Sequence, residues 1–331
     1  MTKRILVTGG CGFIGSHFVE HVLRNTDWEI VVWDKLTYAS NGMDRLRDIN
    51  AFDEGRVHIL TCDFSEPLSP GVLQETAEVE YIAHLGAETH VDRSIEDAEP
   101  FVRANVLGTM RVLDFARGQT NLRRFIQVVT DEIYGPAPDG VAYKEGDPYN
   151  CTNPYSATKA AGCELALAYR NTHRVPVICV FPMNCFGERQ HPEKFVPKAI
   201  RAVLHGETVP IHGSPDCTVA GSRFWIHARN VADAVLFLLR ETKSLPPKCH
   251  IVGQREIDNL TMARRIAEII GKPFYHRMVN FHETRPGHDL RYALSGDALY
   301  RLGWKPPRPL EESLDKTVRW TLDHPAWLEL K

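Results

Sequence analysis

A glycine-rich turn near the N-terminus constrains the fold of this chain more than any other feature. The apolar segment 5–8 has the character of a short buried strand, and the sequence GGCGFIG of residues 9–15 follows it directly, before a helical pattern that continues to about Leu23. Glycines are required where a chain turns tightly, where backbone approaches a pyrophosphate and where a helix packs on a strand. The N–H groups at a helix N-terminus also attract phosphates. The turn therefore predicts a strand–turn–helix unit that binds a dinucleotide.

A carboxylate at the end of the second predicted strand narrows the choice of dinucleotide. The segment 28–33 is apolar and leads into Asp34, which follows Gly15 at nearly the interval of about 20 residues that is typical of a carboxylate holding a ribose 2′-hydroxyl. Because such a carboxylate repels a 2′-phosphate, we expect NAD rather than NADP. The neighbouring Lys35 weakens this preference slightly.

Strand-like and helix-like segments alternate along the chain. Strands are predicted at residues 5–8, 30–33, 57–61, 81–85, 125–130 and 176–181, and helices at 101–117, 231–239 and 262–270. This alternation predicts an α/β fold with a Rossmann-type, doubly wound parallel sheet. Prolines and glycines become frequent over residues 181–222, which indicates a smaller mixed α/β C-terminal domain. The domains that we expect are residues 1–180 with about 228–253, which bind NAD, and residues 181–227 with 254–331.

Two adjacent carboxylates follow the fifth predicted strand. Thr130, Asp131 and Glu132 come directly after an apolar run, where neighbouring side chains of an extended strand end would point in different directions. A hydroxyl and two carboxylates at one strand end indicate acid–base chemistry rather than a solvated loop. We interpret the triplet as part of a catalytic site.

A tyrosine and a lysine lie four residues apart further along the chain. Tyr155 and Lys159 would face the same side of a helix, and Asn153-Pro154 predicts the N-cap and first turn of that helix. Hydride transfer needs a phenol of lowered pKa and a nearby cation that lowers it. With the carboxylate pair, these residues indicate a reaction that includes more than hydride transfer.

Composition excludes several classes of protein. The 331 residues are enough for about two domains, 43% of them are hydrophobic, and the net charge of −3 argues against a nucleic-acid partner. No apolar run approaches the length of a membrane span, and the first strand begins so early that we expect no signal peptide and a cytoplasmic protein. The eight cysteines are scattered and are expected to be reduced. The fifteen histidines form no cluster, so no metal site is predicted.

Several longer motifs carry a resemblance to a known family. They are DKLTYA at residues 34–39, HLGAETHVDRS at 84–94, the Thr-Asp-Glu triplet, the Tyr–Lys pair, PEK at 192–194 and RPGHDLRY at 285–292. With these motifs the chain resembles the extended short-chain dehydrogenases/reductases, and most closely the NAD-dependent nucleotide-sugar 4,6-dehydratases typified by dTDP-glucose 4,6-dehydratase. The resemblance runs nearly end to end, and the triplet and the last motif are its family-specific parts.

The resemblance implies a role for each residue of the site. Tyr155 would take the proton of the sugar 4-hydroxyl with Lys159 lowering the pKa of its phenol, Thr130 would hydrogen-bond the 4-oxygen, Glu132 would act as base at C5, and Asp131 would protonate the departing 6-hydroxyl. The cofactor-binding residues that it implies are Gly9, Gly12, Phe13, Ile14, Gly15, Asp34, Lys35, Asp63, Phe64, Leu85, Gly86, Ala87, Tyr155 and Lys159. The substrate-binding residues that it implies are Thr89, Asn184, Glu193, Lys194, Arg223, Arg285 and His288.

The activity implied is conversion of an NDP-glucose, with dTDP-glucose the first choice, to the NDP-4-keto-6-deoxy sugar and water through transient NADH. The C-terminal domain would then bind the nucleotide sugar, and the enzyme would be a homodimer. A 4-epimerase or decarboxylase of the same superfamily stays open, as does a non-catalytic dinucleotide-binding regulator. Neither of the other enzymes needs a carboxylate pair after the threonine.

Some positions depart from the family pattern. Cys185 and Phe186 replace polar residues near the nicotinamide, Phe224 replaces the usual Asp, and His250 replaces a common Asn. The segment 213–222 is roughly four residues longer than the interval usual in the family. These differences leave the catalytic set intact, and on the sequence alone neutral drift and altered specificity are equal alternatives.

Overall fold

A seven-stranded parallel sheet forms the centre of the computed structural model, which describes residues 2–280 and 290–329. The strands of the chain are Arg4–Thr8 (β1), Glu29–Asp34 (β2), Val57–Thr61 (β3), Tyr81–His84 (β4), Arg124–Val128 (β5), Val177–Pro182 (β6), Cys185–Phe186 (β7), Val209–Gly213 (β8), Ser222–Phe224 (β9), Ile226–His227 (β10), Lys248–Ile251 (β11), Glu256–Asp258 (β12) and His276–Asn280 (β13). The central sheet has the order β11-β6-β5-β4-β1-β2-β3. The predicted doubly wound fold is therefore confirmed.

Helices cover both faces of this sheet. They are Phe13–Asn25 (α1), Asp44–Asp48 (α2), Pro70–Glu75 (α3), Val91–Glu96 (α4), Glu99–Val102 (α5), Thr109–Arg117 (α6), Pro154–His173 (α7), Phe195–His205 (α8), Ala228–Arg240 (α9), Asn259–Ile270 (α10), Asp297–Arg301 (α11) and Leu310–Asp323 (α12). Short 3₁₀ helices lie at Tyr38–Ser40, Asp131–Tyr134 and Pro325–Leu328.

Alternation of side chains along the strands explains the two-layered core. Ile5 and Val7 of β1 point to the face covered by α1 and α9, whereas Leu6 points to the face covered by α6 and α7. All three are fully buried. Strands of a parallel sheet are apolar on both sides because helices cover both of its faces. The near-continuous apolar character of the predicted strands follows from this arrangement.

A third core lies in the C-terminal part of the chain. Three two-stranded sheets form there, β7 with β10, β8 with β13 and β9 with β12. Apolar side chains of helices α8, α10 and α12 pack together beside them, among them Ile200, Met262 and Leu314, which are all buried. This is the smaller mixed α/β unit that the proline- and glycine-rich texture predicts.

Two details of the sheet and its helices differ from the predicted elements. The strand Lys248–Ile251 was not predicted, because its residues include a lysine and a histidine. The predicted helix 101–117 begins at Glu99 and contains a π-helical segment, Arg103–Gly108. Within this segment the Asn105 side chain exchanges hydrogen bonds with the backbone N–H and carbonyl of Glu88, at 2.9 and 3.0 Å. The irregular segment thus connects the helix to the loop after β4.

Three chemical features of the described residues bear on function. None of their helices is both long enough and apolar enough to cross a membrane. All eight cysteines lie in the described part of the chain, and each is a free thiol. Over residues 2–280 and 290–329, no group of three or more His, Cys, Asp or Glu side chains is arranged to hold a metal ion.

The contact between α7 and the π-helical segment predicts a stability effect. A Cβ atom on Gly162 would lie 2.6 Å from the carbonyl oxygen of Asn105. Gly162→Ala should therefore destabilise the fold by about 1–2 kcal/mol in urea unfolding, since overpacking costs more than the helix gains from alanine. Gly146→Ala is the matched control, because nothing lies within 4 Å of its Cβ position. Equal unfolding midpoints for the two variants would contradict this account of the contact.

Candidate active site

A cavity of about 320 Å³ lies at the carboxyl ends of the parallel strands. It lies where the strand order reverses between β4 and β1, the position at which open α/β sheets bind ligands. Most of the predicted site residues line it. They are Gly9, Gly12, Phe13, Ile14, Gly15, Asp34, Lys35, Phe64, Leu85, Gly86, Ala87, Thr89, Thr130, Asp131, Glu132, Tyr155, Lys159, Asn184, Glu193 and Lys194.

Of the predicted site residues that the structure describes, Asp63 and Arg223 do not line the cavity. The Asp63 carboxylate lies 3.9 Å from the ammonium of Lys35 and accepts hydrogen bonds from Ser65. Arg223 is buried behind the carboxylates and donates to the carbonyl of Leu290. Arg285 and His288 fall outside the residues that the structure describes.

The glycine turn is sterically obligatory at two positions. Gly9 has a φ of +69°, and a Cβ atom there would lie 2.6 Å from the Cα atom of Gly86. A Cβ atom on Gly15 would lie 2.0 Å from the carbonyl oxygen of Gly9. Because α1 begins at Phe13, the N–H groups of its first turn have no partner within the helix and border the cavity. This arrangement suits the phosphates of a dinucleotide.

Asp34 is held by backbone donors at the edge of the cavity. Its carboxylate accepts from the N–H of Cys11 at 3.0 Å and from the N–H of Leu36 at 2.9 Å. Burial raises the pKa of this carboxyl, while these two donors oppose the rise. Lys35, expected to weaken the preference for NAD, instead lies 3.2 Å from the carboxylate of Glu88. An oriented carboxylate is therefore available to a ribose.

The carboxylate pair lies on a 3₁₀ turn rather than on a strand end. β5 ends at Val128, so the predicted strand 125–130 was too long, and Asp131–Tyr134 forms the turn. Thr130 is its N-cap, with the hydroxyl accepting from the N–H of Glu132 at 3.4 Å and donating to Asp131 at 3.2 Å. The argument from strand alternation was wrong. A 3₁₀ helix has three residues per turn, so neighbouring side chains still point in different directions.

Burial changes the acidity of both carboxyl groups. It raises the pKa of Asp131 to about 6, with Arg223 and Thr130 opposing the rise. Burial and then the charge of Asp131 raise the pKa of Glu132 to about 7, which a hydrogen bond from Asn153 opposes. Both carboxyl groups therefore titrate closer to neutral pH than ordinary carboxyls do, Glu132 more so than Asp131. The site therefore holds an acid and a base side by side.

The Tyr155 helix begins as predicted, although its lysine makes an unexpected contact. The Asn153 side chain caps α7 in a capping box, with a proline in the first turn. Lys159 donates to the carbonyl of Val128 at 2.7 Å, and burial lowers the pKa of its ammonium to about 8. Burial, then Glu132, raises the pKa of Tyr155. The role expected of Lys159, lowering the pKa of the phenol, stays a prediction for the site with its ligands bound.

Other polar residues of the cavity were not predicted. Thr37, Ser40, Glu88, Gln190 and His191 all line it. The first three lie in or next to the motifs DKLTYA and HLGAETHVDRS, and the last two directly precede PEK, so their positions beside these motifs could have indicated them.

Unpartnered polar atoms mark the C-terminal wall of the cavity. The side-chain oxygens of Asn184 and Gln190 and the Nε2 of His191 are buried, and none of these three atoms has a hydrogen-bond partner. Glu193 lies within ion-pair distance of His90 and Lys194. Buried polar atoms are costly without partners, so a polar ligand is what this wall suits.

The departures from the family pattern occupy different environments. Cys185 lines the cavity, whereas Phe186 is buried in the C-terminal core and is not among the residues that line it. Phe224 packs against the core beside α7. His250 is buried and hydrogen-bonded to the Tyr134 hydroxyl at 2.9 Å. Of these four substitutions, Cys185 is the one placed to contact a ligand.

The raised pKa of Glu132 predicts how stability depends on pH. Its folded-state pKa of about 7 lies above the ordinary value of 4.5, so the wild type should lose stability as the pH rises through this range. Glu132→Gln removes that loss, and its melting temperature should exceed the wild-type value at pH ~8 but not at pH ~5. Thermal unfolding at both pH values measures this, with the exposed Glu96→Gln as control. A pH-independent difference between Glu132→Gln and wild type would contradict it.

Comparison with known proteins gives consistent results. The sequence profile of the NAD dependent epimerase/dehydratase family matches residues 5–252. The chain is 39% identical to the low-salt glycan biosynthesis protein Agl12 of Haloferax volcanii, over 96% of this chain and 98% of that protein. It is 35% identical to a dTDP-glucose 4,6-dehydratase of Escherichia coli, over 98% and 94% of the two chains.

Solved structures agree with the sequence relatives. DesIV from Streptomyces venezuelae, a dTDP-glucose 4,6-dehydratase crystallised with NAD and TYD bound, superposes with a TM-score of 0.88 and 34% identity, covering 99% of this chain and 100% of that one. UDP-glucuronic acid 4-epimerase from Bacillus cereus superposes with a TM-score of 0.87 at 21% identity, covering 97% and 99% of the two chains. The second likeness concerns the fold alone.

Proposed function

Because the chain belongs to the NAD dependent epimerase/dehydratase family, we propose that it is a nucleotide-sugar 4,6-dehydratase, with dTDP-glucose as the first candidate substrate. One observation carries the proposal. Asp131 and Glu132, with raised pKa values, line the same cavity as Tyr155 and Lys159. A 4-epimerase needs the Tyr–Lys pair, whereas elimination of water also needs an acid and a base.

The residues of the N-terminal half fit NAD. The first turn of α1 offers its N–H groups to the pyrophosphate, and the carboxylate of Asp34 is oriented toward a ribose. Phe64 and Leu85 line the same part of the wall. When bound there, NAD⁺ would supply the hydride acceptor for oxidation at C4 of the sugar and, once reduced, the hydride donor for C6.

In this proposal Tyr155 and Thr130 both contact the 4-hydroxyl of the sugar. The Tyr155 phenolate accepts the hydroxyl proton, and the Thr130 hydroxyl hydrogen-bonds the 4-oxygen as it becomes a ketone. Lys159 carries a positive charge that is buried and tied to the Val128 carbonyl. Its place is to hold the nicotinamide ribose and to favour the anionic phenol when the site is filled.

Glu132 and Asp131 carry out the elimination. The 4-ketone acidifies the C5 hydrogen, and the ionised Glu132 takes it. Asp131 delivers a proton to the 6-hydroxyl, which leaves as water. When hydride has been added at C6, the protonated Glu132 returns a proton to C5, which completes the 4-keto-6-deoxy sugar. In the empty site the pKa of Glu132 is raised further than that of Asp131, which is the reverse of these two roles. The proposal therefore requires that the bound substrate place the proton of the pair on Asp131.

The substrate nucleotide would lie against the C-terminal wall. Asn184 and Lys194 border the cavity from that side, and Arg223 lies behind the carboxylates. Arg285 and His288 stay predictions for the diphosphate, for which arginine is suited by its bidentate hydrogen bonds. The corresponding division is residues 1–180 with about 228–253 for NAD, and 181–227 with 254–331 for the nucleotide sugar.

The proposal also includes a cellular location and an oligomeric state. The free thiols suit a reducing compartment, and we place the enzyme in the cytoplasm.

Ile95 of α4 and Val102 of α5 are large apolar side chains that remain exposed on one stretch of the chain. An interface with a second copy would cover them, which supports a homodimer.

Asp34→Ala should weaken the binding of NAD more than the binding of NADP. Loss of a charged hydrogen-bond acceptor weakens NAD binding about 10- to 100-fold while NADP binding changes little. Calorimetric titration of protein stripped of nucleotide measures both, and Asp44→Ala removes an exposed carboxylate of α2 as the control. NADP as the main nucleotide released on denaturing the wild type would be the contrary result.

Reaction in deuterated water tests the dehydratase directly. The wild type should form a 4-keto product, detected by its absorbance in alkali, with solvent deuterium at C5. Asp131→Asn and Glu132→Gln should both lower product formation by about 10²- to 10⁴-fold, because one elimination partner is missing. Substrate recovered from Asp131→Asn should still gain deuterium at C5, whereas substrate from Glu132→Gln should not.

The contrary outcomes separate the alternatives. An epimerase would form no 4-keto-6-deoxy product, incorporate no deuterium and tolerate both substitutions. Tyr155→Phe serves as the negative control, since loss of the phenol stops oxidation at C4 and with it any exchange. Product formation at the wild-type rate in both carboxylate variants would refute the 4,6-dehydratase even if NAD is bound.

A further inference from the structure

We infer that Asn153 is a positioning residue that fixes the orientation and the ionised form of Glu132, in addition to capping helix α7. This inference rests on the proposed function, in which Glu132 is the base at C5. It is based on the Asn153 side chain, which forms hydrogen bonds both to the 3₁₀ turn that carries Glu132 and to the helix that carries Tyr155.

Both ends of the Asn153 amide have matched partners. Its Oδ1 accepts from the N–H of Ser156 at 2.8 Å, and its Nδ2 donates to Oε2 of Glu132 at 3.3 Å. The Ser156 hydroxyl closes the capping box on the Asn153 N–H at 3.4 Å. Because a rotated amide would place oxygen against carboxylate and NH₂ against N–H, this orientation is the one that satisfies both partners.

The link joins two catalytic elements through one rigid group. Asn153 is 6% exposed and lies two residues before Tyr155. An asparagine has one donor end and one acceptor end, so it can cap a helix and hold a carboxylate at once. A serine or an aspartate in the same place caps equally well but offers the carboxylate no amide donor.

The charged surroundings of Glu132 explain why such a donor matters. Burial, and then the charge of Asp131 in the same turn, raise the pKa of Glu132, while the charges of Arg223 and Lys194 oppose the rise. Tyr155 faces it from α7, and after burial the charge of Glu132 is the second cause of the raised pKa of this phenol. The Asn153 amide is the donor that lowers the pKa by direct hydrogen bonding. It therefore keeps Glu132 available as a base near neutral pH.

The test compares Asn153→Ser and Asn153→Asp with the wild-type holoenzyme. Both substitutions keep a cap for α7 and remove the amide donor. The acidic limb of the kcat profile should move up by about one pH unit in the serine variant and further in the aspartate variant, because a second carboxylate faces Glu132. At neutral pH kcat should fall about 10-fold, recover at alkaline pH, and KM should stay within about twofold.

A measurement without turnover keeps the inference separate from the proposed function. Difference infrared spectra of the NAD-bound protein, wild type minus Glu132→Gln, report protonation of this one carboxyl as pH is varied. The Glu132 titration should move to higher pH when either Asn153 substitution is introduced. If the wild type forms no 4-keto product, the proposed function fails, and this titration still decides whether Asn153 controls Glu132.

A residue that only caps a helix should behave differently from Asn153 in both measurements. Ser69→Ala removes the exposed N-cap of α3, away from the cavity, and should leave the kcat profile and the Glu132 titration unchanged. The inference is overturned if the Asn153 variants titrate like the wild type, or if they lose activity equally at every pH. It is supported if the profile and the titration move together.

Discussion

The close approach of two backbone segments at the centre of the sheet is the constraint on which the rest of the structure depends. The turn after β1 lies so tightly against the loop after β4 that Gly9 has no space for a side chain, and Gly15 packs equally closely on the backbone of the turn itself. Thr8 reinforces this contact, because its hydroxyl accepts from the N–H of Gly86 at 3.1 Å and shares a hydrogen bond with His84. The first turn of α1 and the loop after β4 therefore border one cavity, and everything that binds there is placed relative to them.

The second constraint is electrostatic, because the site keeps ionisable groups where burial disfavours their charge. Asp131 retains an oxygen without a partner, and the Lys159 ammonium donates to a neutral group, the carbonyl of Val128. Such groups lower the stability of the empty protein, and they bind most strongly to a ligand that supplies the missing partners. The catalytic residues are therefore arranged to bind a substrate, at a cost to the stability of the fold.

How much the sequence could predict follows from the range of each interaction. The glycine turn, Asp34 and the Asn153 cap are local signals, and the structure places them as the spacing predicts. The contact of Lys159 with Val128 and the 3₁₀ turn of Asp131 depend on how α7 packs against β5, which no local pattern reports. The strand Lys248–Ile251 was missed for another reason, because its lysine and histidine interrupt the apolar pattern by which the other strands were predicted.

Ion pairs outside the cavity hold its C-terminal wall in place. Glu188, fully buried, accepts from Arg229 at 2.8 Å and lies 3.0 Å from His227, and these partners hold its pKa well below the usual range. The next residue, Arg189, pairs with Glu20 of α1 at 3.1 Å. Since the partners come from α1 and from the start of α9, the segment is tied to the glycine-turn helix itself. Asn184 and Gln190 can thus leave polar atoms unpartnered in the cavity without the segment collapsing onto them, so that buried ion pairs outside the site maintain the polar surface within it.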